Sequence, residues 1–300
     1  MYLLRVEAID NMNKIKKTSI AIVILTLLLL ILCLILVLQK YTENKYVNSL
    51  KFQTEKAVAE INRKNEERLK LELEEKRKTP NLTEVGLNTV KNIYSAKEEK
   101  EVYLTFDDGP STTVTPLILD VLKANNIKAT FFVLGSRVEL NPELTKRAYE
   151  EGHYIANHGY SHVYKNIYSS KEEVLNEYNK TEQAIKQALN KSNYNSHLFR
   201  FPGGSTGGKY HNIKSEAILM LEENSIATLD WNCLSDDSAG AITKEEILSR
   251  IIETSNNKSS LVVLMHDAGD KILTYETLQE VINYFKEQGY VFKDMYDIIK

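Results

Sequence analysis

The chain has 300 residues, a formal net charge of −3 and 43% hydrophobic residues, which suffices for one domain of roughly 200 residues with further segments attached. Acidic residues slightly outnumber basic ones, and no stretch of the predicted folded region interleaves Lys and Arg with aromatic residues, so a nucleic-acid partner is not expected. The two cysteines, Cys33 and Cys233, are too few for a disulfide framework or a thiolate zinc cluster, so any metal must be bound by His and carboxylate side chains.

An uncharged apolar run at residues 19–38 is the strongest compositional signal in the chain. As a helix that rises about 1.5 Å per residue, it is long enough to cross a bilayer core of about 30 Å, and it predicts a transmembrane helix. Basic residues precede the run, which favours a cytoplasmic tail at residues 1–18 and an extracytoplasmic location for the rest. A cleaved signal peptide is the alternative, although residues 39–42 lack the small residues of a cleavage site.

Residues 39–100 are strongly charged, with oppositely charged side chains one helical turn apart, as in Glu66 and Lys70. This pattern predicts a solvated helical stalk that spaces the folded part from the membrane, with the helix ending at Pro80. The apolar positions do not sustain a heptad repeat, so no coiled coil is predicted. A linker without a specific shape is the alternative interpretation.

Between residues 101 and 300, short β-rich runs alternate with helix-like segments. The predicted strands are 102–106, 129–134, 154–156, 198–201, 226–229 and 261–265. The predicted helices are 115–125, 142–151, 171–189, 244–254 and 275–288. This alternation predicts an α/β fold with parallel strands and helical crossovers. Polar residues directly follow the strands, and in a closed α/β barrel that edge carries the active site.

Five short segments carry these polar residues: TFDDGP at 105–110, NHGYSH at 157–162, RFPG at 200–203, the stretch 230–237, and LMHD at 264–267. The adjacent carboxylates of the first segment would repel each other unless a cation lies beside them. The second segment has two imidazoles one helical turn apart, a spacing that converges on one ion in other His-x-x-x-His sites. Each segment alone also fits an ordinary turn, a coincidental spacing or core packing.

In this order, the five segments resemble the motifs of the polysaccharide deacetylases of the NodB-homology family, also called carbohydrate esterase family 4. The resemblance covers residues 101–300 and implies a distorted (β/α) barrel, preceded here by the transmembrane helix and the stalk. It implies a hydrolase that removes N-acetyl groups from a cell-surface polysaccharide, and the membrane segment favours peptidoglycan as the substrate. The alternatives are a chitin-like polymer, poly-N-acetylglucosamine or an O-acetylated glycan such as xylan, and an inactive glycan-binding module.

The resemblance also implies a metal site formed by Asp108, His158 and His162. One carboxylate and two imidazoles suit zinc, which leaves a position for water and lowers its pKa from about 16 to about 7. Cobalt, nickel and manganese are alternatives. By the same resemblance, Asp107 is the general base, and Arg200 keeps it ionised and oriented.

His266 resembles the general acid of the family, and an aspartate hydrogen-bonded to its other ring nitrogen would keep it protonated near neutral pH. Two aspartates compete for this position. Alignment of Trp231 with the start of the fourth motif selects Asp237, whereas treating Asp230 and Trp231 as its closing pair selects Asp230. We favour Asp237.

Three residues are predicted to shape the substrate site. A backbone N–H near Gly203 is a candidate donor to a tetrahedral oxyanion. Leu264 and Trp231 are candidate apolar walls around the acetyl methyl and the sugar ring, although Trp231 also fits simple core packing. Gly203 and Ser238 depart from the family pattern, since many relatives carry a bulkier residue and a tryptophan at these positions.

The remaining candidates are expected to take no part in the chemistry. His153 opens a predicted strand, and His197 and His211 lie in polar sequence that predicts loops. The glycine-rich run at 203–208 lacks the Gly-Lys-Ser/Thr ending of a phosphate-binding loop, so it predicts a flexible loop at the rim of the site.

Overall fold

The computed structural model describes residues 2–76 and 80–299, with side chains described at 25–71 and 80–299. The chain divides into two compact units, residues 1–71 and 72–300. The described residues of the first unit belong to one helix, α1 (Tyr2–Lys76). Among the described residues, the helix long and apolar enough to cross a membrane is Leu25–Leu71. Its apolar residues up to Leu38 are exposed, which suits a membrane span or a signal sequence and overlaps the predicted span at 19–38.

The charged part of α1 forms ion pairs between residues four positions apart. Arg63 pairs with Glu67 at 2.8 Å and Lys64 with Glu60 at 3.0 Å, whereas the expected pair of Glu66 and Lys70 is not among them. All of these side chains face solvent, so each pair contributes only tenths of a kcal/mol, about 0.3–0.5. The predicted helix end at Pro80 adjoins residues 77–79, which lie outside the described residues.

The second unit is built on an eight-stranded parallel sheet. The strands are β1 (Glu101–Asp107), β2 (Thr130–Val133), β3 (Tyr154–Asn157), β4 (Leu198–Phe199), β5 (Ala227–Thr228), β6 (Cys233–Leu234), β7 (Ser260–His266) and β8 (Val291–Lys293). Their order is β5-β4-β3-β2-β1-β7-β6, with β8 beside β1. The sheet curls into a half-barrel with helices around it, which confirms the predicted distorted (β/α) barrel.

Helices connect and cover the strands. They are α2 (Glu84–Lys91), α3 (Thr115–Ala124), α4 (Gly135–Leu140), α5 (Pro142–Glu150), α6 (Tyr164–Ile167), α7 (Lys171–Leu189), α8 (His211–Glu223), α9 (Lys244–Ser255) and α10 (Ile272–Glu287). The sequence reasoning did not predict α2, α4, α6, α8, β6 or β8. The interpretation of His211 as a loop residue is wrong, because it begins α8. Helix α7 has the bounds that the sequence predicted and is capped at both ends. At its start Ser170 accepts a hydrogen bond from the Glu173 N–H, and at its end Asn190 has a left-handed φ of 52°.

The folded unit begins before the predicted boundary at residue 101. Leu82, Val90 and Ile93 are buried in the cluster that also holds residues of β1, β3 and β7, and the Ser260 hydroxyl donates a hydrogen bond to the Ile93 carbonyl at 2.5 Å. Residues 80–100 therefore pack on the barrel and differ from the expected stalk. The high charge of this stretch hid the few apolar side chains that anchor it.

Strand β1 lies at the centre of the sheet and is buried along most of its length. Val102, Leu104 and Phe106 enter the cluster formed with α3 and α10. Because successive side chains of a strand point to opposite faces, Tyr103 and Asp107 lie on the other face, and Tyr103 packs in the second cluster. The same alternation directs the Asp107 carboxylate into the barrel at the end of the strand.

Candidate active site

Asp107 and His266 end two neighbouring strands and are partners in the register of β1 and β7. In a parallel sheet, carboxyl ends of adjacent strands meet at one edge, and this pairing brings the two side chains to the same rim. Asp107 Oδ1 accepts a hydrogen bond of 2.7 Å from Arg200 Nη1. Burial raises the pKa of Asp107, and the guanidinium charge of Arg200 opposes this rise.

Arg200 is fully buried and follows β4 directly. Its guanidinium donates to the Leu229 carbonyl at 3.0 Å and to the Asp230 carbonyl at 2.9 Å, and it lies 3.9 Å from the centre of the Phe132 ring. These contacts fix the guanidinium plane, so the donor facing Asp107 has one orientation.

Asp108, His158 and His162 present donor atoms that all lie within 4.8 Å of one another. Asp108 Oδ1 lies 3.5 Å from His158 Nε2 and 3.3 Å from His162 Nε2. This oxygen is buried and has no hydrogen-bond partner among the described residues. A buried, unpartnered carboxylate oxygen that faces two imidazole nitrogens fits a divalent metal, and the donor set suits zinc.

The orientation of His158 also fits metal binding. Its Nδ1 lies 2.7 Å from the Arg200 carbonyl oxygen, so Nδ1–H donates there and Nε2 keeps its lone pair toward Asp108. Burial lowers the pKa of His158 to about 3, which keeps the ring neutral. Only the neutral imidazole can donate a lone pair to a metal.

Glu177 of α7 fixes the loop between the two histidines. Its Oε2 accepts hydrogen bonds of 2.7 Å from the backbone N–H groups of Tyr160 and Ser161, and its Oε1 accepts one of 2.8 Å from the Ser161 hydroxyl. The sequence reasoning missed Glu177, because a charged helical residue normally reads as solvent-exposed.

His266 pairs with Asp237 and not with Asp230. Asp237 Oδ1 lies 2.8 Å from His266 Nδ1, and Oδ2 accepts from the His266 backbone N–H at 2.8 Å and from the Thr274 hydroxyl at 2.7 Å. Burial acts to lower the pKa of His266, but the hydrogen bond and charge of Asp237 outweigh it and raise the pKa to about 9. Asp230 instead accepts hydrogen bonds from Ser205.

These side chains surround one cavity of about 340 Å³. Of the residues that the sequence predicts for the site, the following line it: Asp107, Asp108, His158, His162, Gly203, Trp231, Asp237, Leu264 and His266. Arg200 lies behind Asp107. Trp231 lines the cavity and also packs against the buried cluster of Tyr103, so both interpretations of this residue describe real contacts.

Tyr164 and Asp267 belong to the surroundings of the site but were not predicted. Tyr164 lines the cavity. Asp267 is buried beside it, accepts a hydrogen bond of 2.5 Å from the Thr115 hydroxyl, and has its pKa raised by burial to about 7. A β-carbon at Gly109 would lie 2.1 Å from an Asp267 carboxylate oxygen, which explains the glycine. The signal for Asp267 was its place directly after His266.

The discounted histidines lie outside the cavity lining. His153 is buried and its Nδ1 accepts a hydrogen bond of 3.1 Å from the Ala129 N–H. His197 Nδ1 lies 2.7 Å from the Ser225 carbonyl oxygen. Both rings therefore have structural contacts.

Comparison with known proteins places the chain in a family. Residues 94–219 match the sequence profile described as polysaccharide deacetylase. A peptidoglycan-N-acetylglucosamine deacetylase of Bacillus cereus is 33% identical over 207 residues, which cover 67% of this chain and 89% of that protein. The chain belongs to the polysaccharide deacetylase family.

Two further relatives bear on the extent of the match. Peptidoglycan-N-acetylglucosamine deacetylase PgdA of Listeria monocytogenes is 36% identical over 203 residues, which cover 68% of this chain but only 40% of that relative. The chain thus matches less than half of the length of the Listeria protein. The solved structure of a Streptococcus mutans CE4 esterase superposes with a TM-score of 0.62 at 30% identity, over 69% of this chain and 90% of that one.

Proposed function

We propose that this polysaccharide deacetylase is a metal-dependent hydrolase that removes N-acetyl groups from the N-acetylglucosamine of peptidoglycan. The observation that carries the proposal is that all of these groups line or adjoin one cavity. A carboxylate bonded to a buried arginine and a histidine bonded to an aspartate lie there beside three side chains that can bind a metal. Hydrolysis of an amide needs both a base for water and an acid for the departing amine. The names of the Bacillus and Listeria relatives support peptidoglycan as the substrate.

Asp107 is proposed as the general base. It takes a proton from the water that attacks the acetamide carbon, and the rise of its pKa on burial makes it a better proton acceptor than an exposed aspartate. Arg200 holds the accepting carboxylate in one orientation. A divalent metal bound by Asp108, His158 and His162, which we propose to be zinc, would lower the pKa of a water and polarise the carbonyl.

His266 is proposed as the general acid. Its pKa of about 9 keeps the ring protonated at neutral pH, so it can donate a proton to the leaving amine as the C–N bond breaks. Asp237 orients the ring through Nδ1. A backbone N–H near Gly203 is proposed to donate to the oxyanion, and Leu264 and Trp231 to border the acetyl methyl and the sugar ring.

Other acetylated glycans form the second candidate class of substrate. The Streptococcus relative is called an esterase, so the same arrangement of groups on an O-acetylated glycan such as xylan is a specific competitor, together with chitin-like and poly-N-acetylglucosamine polymers. An inactive glycan-binding module is disfavoured, because none of the proposed ligands, base or acid is replaced.

The location of the protein is part of the proposal. We propose that residues 19–38 remain as a single-pass anchor, with the N-terminus cytoplasmic and the barrel outside the membrane. The exposed apolar side chains of α1 support this anchor, and the basic residues before residue 19 support its orientation.

Acetate release is the direct test of the proposed activity. The detergent-solubilised full chain is incubated with peptidoglycan, N-acetylglucosamine oligomers or acetylxylan, before and after chelation and after zinc is restored. We expect chelator-sensitive release from peptidoglycan that returns with zinc. Release from acetylxylan alone would change the assignment to an O-esterase, and no release by any metal-loaded sample would favour the binding module.

A further inference from the structure

Tyr164 is a cavity residue that the proposed chemistry does not use. It begins the short helix α6, two residues after His162, and 40% of its surface is exposed. Its ring lies 5.5 Å from the His162 ring and 5.7 Å from the Tyr168 ring, between centroids. These two aromatic contacts hold the ring at the cavity wall and restrict the positions that its hydroxyl can reach.

The Tyr164 hydroxyl occupies the space into which a side chain at Gly203 would project. An ideal β-carbon built on Gly203 would lie 2.5 Å from Tyr164 Oη and 3.1 Å from Cζ. Gly203 also has a left-handed φ of 73°, a conformation that side-chain-bearing residues rarely adopt. The absent side chain thus lets the Tyr164 hydroxyl, at the start of α6, approach the Gly203 backbone.

The hydroxyl of Tyr164 makes no hydrogen bond within residues 80–299, whereas the buried tyrosines Tyr168 and Tyr194 satisfy theirs inside the protein. Tyr168 donates to the Pro202 carbonyl at 2.6 Å and Tyr194 to the Ile155 carbonyl at 2.6 Å. A phenol that borders a polar cavity normally finds an acceptor. The acceptor for Tyr164 is therefore expected to be water or a bound substrate.

We propose that the Tyr164 hydroxyl donates a hydrogen bond to the carbonyl oxygen of the acetamide group as that oxygen gains negative charge. This inference rests on the proposed function. The donor lies beside Gly203, whose backbone region is the proposed oxyanion site, and its ring contacts His162, so it lies between the two groups that the carbonyl must approach. A donor already in place stabilises the charge without reorganisation during the reaction.

The test replaces the hydroxyl alone. Tyr164→Phe in the zinc-loaded full chain is expected to lower kcat for acetate release by about 10- to 100-fold, with KM changed less than about threefold, because the hydrogen bond strengthens only as charge develops. Its zinc content is expected to equal that of the wild type, which separates loss of the hydroxyl from disturbance of His162.

Tyr160→Phe is the matched control. Tyr160 is in the loop that precedes α6. Its hydroxyl donates to Glu139 at 2.8 Å, and Tyr160 does not line the cavity. The kcat of Tyr160→Phe should stay within about twofold of the wild type, since only an exposed hydrogen bond to Glu139 is lost. If the wild type is active and Tyr164→Phe keeps the wild-type kcat, or changes KM alone, this inference is overturned and the proposed function stands. A wild type that releases no acetate from any of the polymers would overturn the proposed function and this inference together.

A double variant tests the close approach of Tyr164 to Gly203. Gly203→Ala places a methyl group against Oη and is expected to lower kcat. In the Tyr164→Phe background that oxygen is gone, so the further loss caused by Gly203→Ala should be smaller. Strictly additive losses would contradict the contact.

Discussion

Asp108 and His162 both adopt left-handed backbone conformations, with φ values of 73° and 57°. For residues that carry a side chain, this costs about 1–2 kcal/mol each, and such strain persists mainly where a site requires it. At Asp108 the change of backbone direction lets two consecutive aspartates reach one cavity, which the alternation of an extended strand would prevent. At His162 it turns the second imidazole back toward the first.

The proposed division of labour between Asp107 and the histidines is testable by single replacements. Asp107→Asn should reduce acetate release by more than about a thousandfold while zinc content is preserved, because the base is lost and the ligands remain. His158→Ala should lose both acetate release and bound zinc, because a donor atom to the metal is removed. Activity and metal content measured on the same samples decide the matter, and equal zinc loss in both variants would contradict the assignment.

The pairing of Asp237 with His266 predicts a pH profile. With a pKa of about 9, His266, the proposed acid, is protonated below pH 9, so kcat/KM should fall above that pH. In Asp237→Asn the burial of the ring remains and the charge of Asp237 is gone, while the charges of Asp107 and Asp108 still raise the pKa of His266. The pKa of His266 should therefore fall from about 9, and the alkaline limb should move to lower pH.

Asp230→Asn is the control for this profile. The Asp230 carboxylate receives its hydrogen bonds from Ser205 and none from His266, so the alkaline limb should stay near pH 9. If the alkaline limb moved in Asp230→Asn and stayed in place in Asp237→Asn, Asp230 would be the residue that sets the pKa of His266.

At the scale of elements, the pairing of β1 with β7 decides where the site forms. The register that pairs Glu101 with Ser260 continues for seven residues and ends by pairing Asp107 with His266. A shift of one residue would turn each side chain to the opposite face of the strand. The positions of the proposed base and acid therefore depend on the apolar packing of the whole strand pair.

Residues 80–100 contribute to the stability of the barrel. Val90 is 1% exposed, so Val90→Ala should lower the free energy of unfolding by about 1–3 kcal/mol. Val85 is in the same helix but 75% exposed, so Val85→Ala should change it by less than about 0.5 kcal/mol. Urea unfolding followed by the fluorescence of Trp231, the single tryptophan, measures both.

Truncation gives the same comparison for the whole segment. A fragment of residues 80–300 should be more stable than one of residues 101–300, because the shorter fragment exposes the surface that Leu82 and Ile93 cover. Equal urea midpoints and equal slopes for the two fragments would show that residues 80–100 do not stabilise the barrel.

At the scale of the whole molecule, the proposed anchor predicts how the protein partitions in cells. The full chain should stay with membranes after alkaline carbonate extraction. Protease added to intact or wall-stripped cells should digest the barrel, because the proposed orientation has the N-terminus inside and the barrel outside. Deletion of residues 19–38 should leave the protein in the cytoplasm. A mature N-terminus located after residue 38 would instead indicate a cleaved signal peptide.

The sequence by itself determined the family, the fold class and the residue types of the candidate site. The motif residues follow buried strands, and parallel strands end at one edge, so their convergence is a consequence of local pattern. Helix α7 was also predicted from the sequence, at the residues 171–189 that it occupies in the structure.

Only the tertiary structure decided the contacts between segments far apart in the chain. It distinguished Asp237 from Asp230, brought Tyr164 over Gly203, directed Glu177 to the backbone of the histidine loop and packed α2 on the barrel. Each contact depends on the path of a loop or the register of distant elements. Periodicity along the chain reports which face of an element is buried, but it carries no information on which distant side chain meets that face.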